Sequence, residues 1–407
     1  MVIGDKLKTS VHKVRFMTLC TIGLRPRADS ARSWTKKSGG GLISRDKLKT
    51  SMNKVRVLTL FMIGLRPRAA TRRSWTKKSG GSNMTDKWLV GVDLGGTTTK
   101  IAFINENGEI IKKWEITTDN SDEGKNITTN IAKSIDLHLA EIGQQKDKLS
   151  AIGMGAPGPV DLDTGVIFNT VNLGLPDHYP LKKVLENATS LPAAVDNDAN
   201  CAALGEMWKG AGNGAKDLVC ITLGTGVGGG VINNGEIVHG ISGAAGEIGH
   251  ITAVTKGGAP CNCGKSGCLE TIASATGIVR LAKEHLASAE NTPSKLGAHF
   301  AKEGSITAKD VLDAGREGDE IALDVINEVS FYLGLVLANV ANTLNPEKIV
   351  VGGGVSKAGS VLLDPVKKAF QSNAFPSIAN STTIAPAALG NDAGVIGAAW
   401  LAKTIGS

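Results

Sequence analysis

The apolar pattern of the chain falls into short buried-strand runs separated by glycine turns. Trp88–Val92 reads as a strand buried on both faces, followed by Asp93-Leu-Gly-Gly-Thr-Thr-Thr-Lys100 and a second strand over Ile101–Ile104. An Asn107-Gly108 pair then predicts a hairpin turn, with a third strand from Glu109. The layout returns downstream: a strand over Leu218–Leu223, the run Gly224-Thr-Gly-Val-Gly-Gly-Gly230, Val231-Ile232, a turn at Asn234-Gly235, then Glu236-Ile237-Val238. Two strand–glycine turn–strand units in register imply two related halves. Between them, Ala151–Met154 predicts a strand ending in the turn Gly155-Ala-Pro-Gly-Pro159. Leu191–Val195 predicts a short strand and Ala199–Trp208 a helix. Ser330–Thr343 is apolar on most faces of a helix, so it is expected between a sheet and another element.

Ahead of this pattern lies a segment of another kind. Residues 5–40 recur at 46–81, with DKLKTS, IGLRPR and SWTKKSGG in both copies. Two uncapped copies, each with a proline and many cations, cannot bury a core, and each ends in a linker-like Ser-Gly-Gly. Residues 1–83 are expected to be a disordered or non-native leader, appended or arising from a misread start; a basic targeting or nucleic-acid-binding arm is the other reading. Met84 is a natural start for the rest.

Charge follows the same division. The leader holds 20 of the 45 Lys and Arg but only 3 of the 38 acids, leaving the rest of the 407 residues acidic despite a net charge of +7. A chain with an acidic body is not a general nucleic-acid binder. The longest uncharged apolar runs of the leader, such as Val57–Leu65, are about half a membrane-spanning helix.

The chemistry concentrates in a few segments. Glycine loops let backbone N–H groups close on phosphate oxygens, with Thr hydroxyls adding donors and Lys or Mg²⁺ balancing charge; no GxxxxGK[ST] motif is present. His250, Cys261, Cys263 and Cys268 lie within 19 residues and form a Cys₃His set suited to tetrahedral Zn²⁺. Four local protein ligands suggest a structural site, and Cys261 and Cys263 are too close in sequence for an easy disulfide. Asp198 stands near a strand end and helix start, where a carboxylate can cap a helix. His178, His239 and His12 fit no pattern and read as incidental.

ExGH followed by CxCGxxGCxE resembles the hallmark of the ROK family (repressor, open reading frame, kinase), and the resemblance runs from about Trp88 to Trp400. It implies an α/β fold, the two-lobed actin-like ATPase (ribonuclease H-like) fold with duplicated βββαβαβα units. The small lobe would span 84–200 with a returning C-terminal helix in 390–407, and the large lobe 201–389 with the zinc motif. It implies ATP-dependent phosphorylation of a hexose at its 6-hydroxyl. Asp198 would be the general base, with Asn197, Glu247, His250 and Glu270 on the sugar, and Gly155, Pro157, Gly158 and Asn172 lining its site. Gly95, Gly96, Thr97 and Thr98 would form the first phosphate loop, Thr225 and Gly226 the second. Gly353 and Gly354, after the strand-like Ile349–Val351, would lie near the adenosine, and Asp93 would place Mg²⁺ through water. The runs DLGGTTTK, GAPGPVD and CNCGKSGCLE are similar to glucose-phosphorylating members of Gram-positive type; N-acetylmannosamine, N-acetylglucosamine, mannose and fructose are the alternatives. A cytoplasmic homodimer is expected, with neither membrane nor nucleic acid as partner. The family also holds sugar-responsive repressors with a winged helix-turn-helix of about the leader's length, but the leader lacks that periodicity and the body keeps Asp198 and both loops.

Overall fold

Strand β1 (Trp88–Leu94) has Leu89, Val90, Val92 and Leu94 all buried, as a strand covered on both faces requires. In the computed structural model, which describes residues 87–168, 170, 173–289 and 292–406, β1 starts a meander with β2 (Thr98–Asn105) and β3 (Ile110–Thr117). Helix α1 (Asn126–Glu141) crosses to β4 (Leu149–Ala156), parallel to β1. The small hairpin β5 (Val160–Asp161) and β6 (Val166–Ile167) and helix α2 (Leu181–Thr189) lead to β7 (Ala193–Asn197), parallel to β4. The first sheet therefore runs β3-β2-β1-β4-β7.

Helix α3 (Asp198–Lys209) carries the chain to the second sheet. Strands β8 (Leu218–Leu223), β9 (Val227–Asn233) and β10 (Glu236–Ile237) form another antiparallel meander. Helices α4 (Glu270–Ala273), α5 (Ala275–Ser288), α6 (Lys295–Glu303), α7 (Ala308–Arg316) and α8 (Glu320–Leu344) follow, then β11 (Lys348–Gly352), parallel to β8. After α9 (Ser360–Asn373) and α10 (Pro376–Ser381), β12 (Thr383–Pro386) completes the order β10-β9-β8-β11-β12. The two sheets share one topology with the same strand directions, so the duplication read from the glycine hairpins is present in three dimensions. The leader, residues 1–83, lies outside the described residues.

The two Asn-Gly turns differ. Asn234 and Gly235 both have positive φ (53° and 83°), the two-residue turn that matches strand twist. At the first site only Gly108 is positive (82°), and its N–H closes on the Asn105 carbonyl at 2.9 Å. That is a tighter first turn with a glycine bulge after it, and the β2–β3 register shifts between Phe103 and Ile104 accordingly.

The final helix, α11 (Ala393–Ile405), returns to the first sheet: Val395, Ile396, Ala399 and Ala402 pack on Leu89, Ala102, Ile104 and Ala151. It also crosses α3, which faces β8 and β9, so the α3–α11 pair lies between the sheets. The expected lobe boundary at 200/201 falls inside the first turn of α3. Helix α11 packs closely on both α3 and β4 because glycines stand at the contacts: a Cβ on Gly397 would lie 1.6 Å from the Cys201 carbonyl oxygen of α3, and one on Gly153 of β4 1.8 Å from that of Ala398. Gly397→Ala forces backbone apart, and it should destabilise the fold by about 3 kcal/mol or more, read as a lower urea midpoint at unchanged m value.

Helix α8 is the one described helix long and apolar enough, by composition, to cross a membrane. Its Val325, Val329, Leu333, Val336 and Leu337 are buried with Val219 and Ile221 of β8, Ile349 and Val351 of β11, and Leu362 and Val366 of α9. Its all-round apolarity is that of a helix held between a sheet and a neighbour, as expected.

Candidate active site

The turn from β7 into α3 sets the centre of the site. The N-cap of α3 is Asn197, not Asp198: its Oδ1 accepts the N–H groups of Ala199 (2.9 Å) and Asn200 (3.3 Å). The extended backbone of Asn197 (φ −63°, ψ 147°) suits a cap, whereas Asp198 is already helical. Asp198 accepts the Ala199 N–H at 2.8 Å with one oxygen, and its carboxylate faces the cleft. The amide of Asn197 donates to the Gly158 carbonyl at 3.2 Å, tying this turn to the GAPGP segment. There the strand runs further than expected: Gly155 and Ala156 finish β4, and the bend comes at Pro157-Gly158, with Gly158 at φ 121°.

Asp198 reaches solvent through the cleft, yet the protein walls around it thin its hydration. That loss of hydration is the main cause raising its pKa; Asp93 and Glu247 add to it as like charges, and the Ala199 N–H opposes.

Two cavities meet at this carboxylate. The larger, about 720 Å³, is lined by Asp93, Gly158, Asn197, Asp198, Gly226, Glu247, His250, Glu270 and Gly353 among the expected residues. The smaller, about 470 Å³, is lined by Asp93, Gly95, Gly96, Thr97, Pro157 and Asp198. Asp93 and Asp198 belong to both. Gly155, Thr98, Thr225 and Gly354 line neither; Gly155 instead lets Cys201 and the Asp198 backbone pack close to β4. Asn172 lies outside the described residues.

The first glycine loop, Gly95–Thr97, is held from behind by residues that no motif marked. Thr118 donates its hydroxyl to the Gly95 carbonyl (2.7 Å) and its N–H to that of Thr97 (2.9 Å), while the Asn120 amide donates to the Gly96 carbonyl (2.6 Å). Across a planar trans peptide the N–H opposes the C=O. Fixing the carbonyls of Gly95 and Gly96 therefore turns the N–H groups of Gly96 and Thr97 to the other side, where these residues line the smaller cavity. Such a pair of N–H groups suits an anion. Lys100, 3.4 Å from Asp93, lines the larger cavity. Glu206, also there, is buried and accepts N–H groups from Ala211, Ala388 and Leu389, fixing the loop before α11.

On the opposite wall, one ligand atom each from His250, Cys261, Cys263 and Cys268 lies within 4.8 Å of the others. His250 Nδ1 is 3.6 Å from Cys261 Sγ, and Cys263 Sγ is 3.6 Å from Cys268 Sγ. Bonds of ~2.0–2.3 Å in a tetrahedron place ligands ~3.5–3.8 Å apart, so the four fit Zn²⁺, whereas a disulfide would bring two sulfurs to ~2.05 Å. With Nδ1 on the cluster, Nε2 of His250 faces Glu247, 3.8 Å away. Glu270 accepts the Val227 N–H at 3.0 Å, so it spans the second glycine loop and the cysteine cluster.

Two like-built sheets, with glycine turns and an aspartate at a cleft between them, define the actin-like ATPase and sugar-kinase class of fold. Within that class the chain belongs to the ROK family, whose model matches residues 89–405. It is 57% identical over 320 residues to a glucokinase of Halalkalibacterium halodurans, covering 79% of this chain and 96% of the relative. A ROK family glucokinase from Streptomyces griseus, solved with glucose and AMPPNP, superposes with a TM-score of 0.63 at 35% identity, covering 78% of this chain and 99% of that one. A ROK family transcriptional regulator, a homologue of the E. coli Mlc protein, superposes with a TM-score of 0.68 at 26% identity, covering 80% of each chain.

Proposed function

We propose that this protein transfers the γ-phosphoryl group of ATP to the 6-hydroxyl of a hexose, with glucose as the preferred sugar. The observation that carries the reading is Asp198, a carboxylate of raised pKa on the wall shared by two cavities, one rimmed by a glycine loop and the other by two glutamates and a histidine. The high identity to a glucokinase and the likeness to one solved with glucose and an ATP analogue support both the reaction and the sugar.

In this reading Glu247, Glu270, Asn197 and the Nε2 edge of His250 hold sugar hydroxyls, ionised carboxylates being strong acceptors for them. The Asp198 carboxylate takes the 6-hydroxyl proton as the O–P bond forms, since a free hydroxyl loses its proton only late in such a transfer. The N–H groups of Gly96 and Thr97 and the second loop at Gly226 hold phosphate oxygens, and Gly353 lies on the adenosine side. Asp93 fits a place beside Mg²⁺ through water, at the junction of the cavities; Mg²⁺ bound with ATP neutralises charge on the phosphate oxygens. A structural Zn²⁺ on His250, Cys261, Cys263 and Cys268 fixes the loop carrying both glutamates. The protein is expected to work as a cytoplasmic homodimer.

The repressor reading draws on the regulator of the same fold, but a regulator has no use for a base at the junction of phosphate and sugar cavities. Assay of the chain with ATP–Mg²⁺ against a panel of hexoses tests the proposal. Glucose should give the highest kcat/KM; faster turnover of another hexose changes the sugar and keeps the mechanism, and no turnover of any by zinc-loaded protein overturns the reading.

A further inference from the structure

Two residues outside every motif lie directly behind the proposed sugar site. Asp196, at the end of β7, is 2% exposed. One of its oxygens accepts the Asn197 N–H (2.7 Å) and the amide of buried Asn200 (2.9 Å). The other lies 2.8 Å from Nε2 of His239. Asp196 and Asn200 belong to the first sheet's last strand and to α3, whereas His239 follows β10 of the second sheet and begins the loop that ends at Glu247. The loop is closed on itself, the Ala245 N–H donating to the His239 carbonyl at 3.0 Å. It also sits against β5: a Cβ on Gly243 would lie 2.7 Å from the Val160 carbonyl oxygen.

We infer that the Asp196–His239 hydrogen bond is a latch that positions the base-bearing turn, Asn197-Asp198, against the loop bearing Glu247. It is the described side-chain bond joining these two segments, and Asn197 extends it to the Gly158 carbonyl. The latch thus ties three segments expected around the sugar through one buried carboxylate. His239 acts through Asp196, so both are positioning residues. Ionised Asp196 only accepts, so the Nε2 of His239 carries the proton and donates. What the latch needs is a donor at the reach of Nε2, which glutamine supplies and asparagine, one methylene shorter, does not. The effect falls on the hexose side, because Asn197 and Glu247, the groups that the latch sets against each other, line the larger cavity and not the one at the first glycine loop.

This inference rests on the reading of Asp198 and Glu247 as hexose-facing groups, and its test separates the two. In the full zinc-loaded chain, His239→Ala and His239→Asn should lower kcat/KM for glucose by about 10- to 100-fold, the cost of small misplacements of reacting groups. KM for ATP should stay within about twofold, and His239→Gln should recover most of the loss. Thermal unfolding of each variant confirms that the protein compared is folded, with Asn and Gln serving where Ala is not. Equal losses in Asn and Gln, no loss in either, or a rise confined to KM for ATP would overturn the latch. Asp198→Asn run alongside distinguishes the cases: if it stays active, the reading of the site fails; if it is inactive while all His239 variants match the parent, only the latch fails.

Discussion

Asp198→Asn should lower kcat for hexose phosphorylation by about 10³-fold while leaving hexose KM within a few-fold. Asparagine keeps an oxygen to accept the Ala199 N–H, so the turn and the helix start are retained, and only the capacity to take a proton is lost. The same substitution should raise thermal stability at neutral pH. The folded pKa of Asp198 lies above its ordinary value of 3.8, mainly through lost hydration in the cleft and then through Asp93 and Glu247. A carboxyl of raised folded pKa favours the folded state fully only below 3.8, and that contribution is lost as pH rises through the folded value. At neutral pH the native protein therefore carries an ionised group that the unfolded chain accommodates better, a strain that Asn removes. The Tm advantage of the variant should shrink as pH falls toward the ordinary aspartate range. The acid limb of kcat/KM, which reports the free enzyme, should also lie above that of a solvated carboxyl. A variant with more than a tenth of native kcat, or one less stable than the parent at neutral pH, contradicts the role of this group.

What the sequence discloses and what it hides divide along chain distance. The glycine hairpins, the Cys₃His set and the strand–Asp198–helix junction are local, and local spacing carries their chemistry. The duplication was legible because each half repeats its turns in register. Hidden were contacts between segments far apart. Thr118 and Asn120 hold the Gly95–Thr97 loop from the far end of β3, and nothing in their neighbourhood marks them. Glu206 lies in the helix read over Ala199–Trp208, yet the loop it holds, at Ala388 and Leu389, lies 182 and 183 residues away. His239 read as incidental because its partner Asp196 is 43 residues earlier and on the other sheet. Even at short range, chemistry of equal rank misleads: Asn197 and Asp198 are both good caps, and only the backbone, extended at one and helical at the other, decides between them.

Loss of zinc should damage sugar binding more than any single hydroxyl contact. Cys263 is exposed, so Cys263→Ser costs little packing by itself. What it removes is one of four ligand atoms gathered within 4.8 Å. Thiolates gathered so closely repel one another without a cation, and the binding free energy of such a site is also folding free energy for the loop it closes. Backbone bonds brace the neck of that loop, with Ala253 and Val254 N–H donating to the Gly267 carbonyl and Leu269 N–H to that of Ile251, but its tip at residues 262–266 is exposed. Its two ends are the functional part, with Glu247 and His250 before it and Cys268, Leu269 and Glu270 after it. Leu269 is fully buried and anchors one end, so the global fold should survive while the carboxylates lose their fixed separation. Cys263→Ser, or chelation of the native protein, should therefore lower zinc content from one per chain to near zero and reduce Tm. It should cut kcat/KM for glucose by on the order of a hundredfold, chiefly through KM. KM for ATP should change less, because of the two phosphate loops only the second touches the cluster, through Glu270, while the Gly95–Thr97 loop hangs on Thr118 and Asn120 after β3. Restoring zinc should recover the chelated native protein and not the serine variant. Zinc-free protein with native KM and Tm would mean that the four side chains cluster without a metal role.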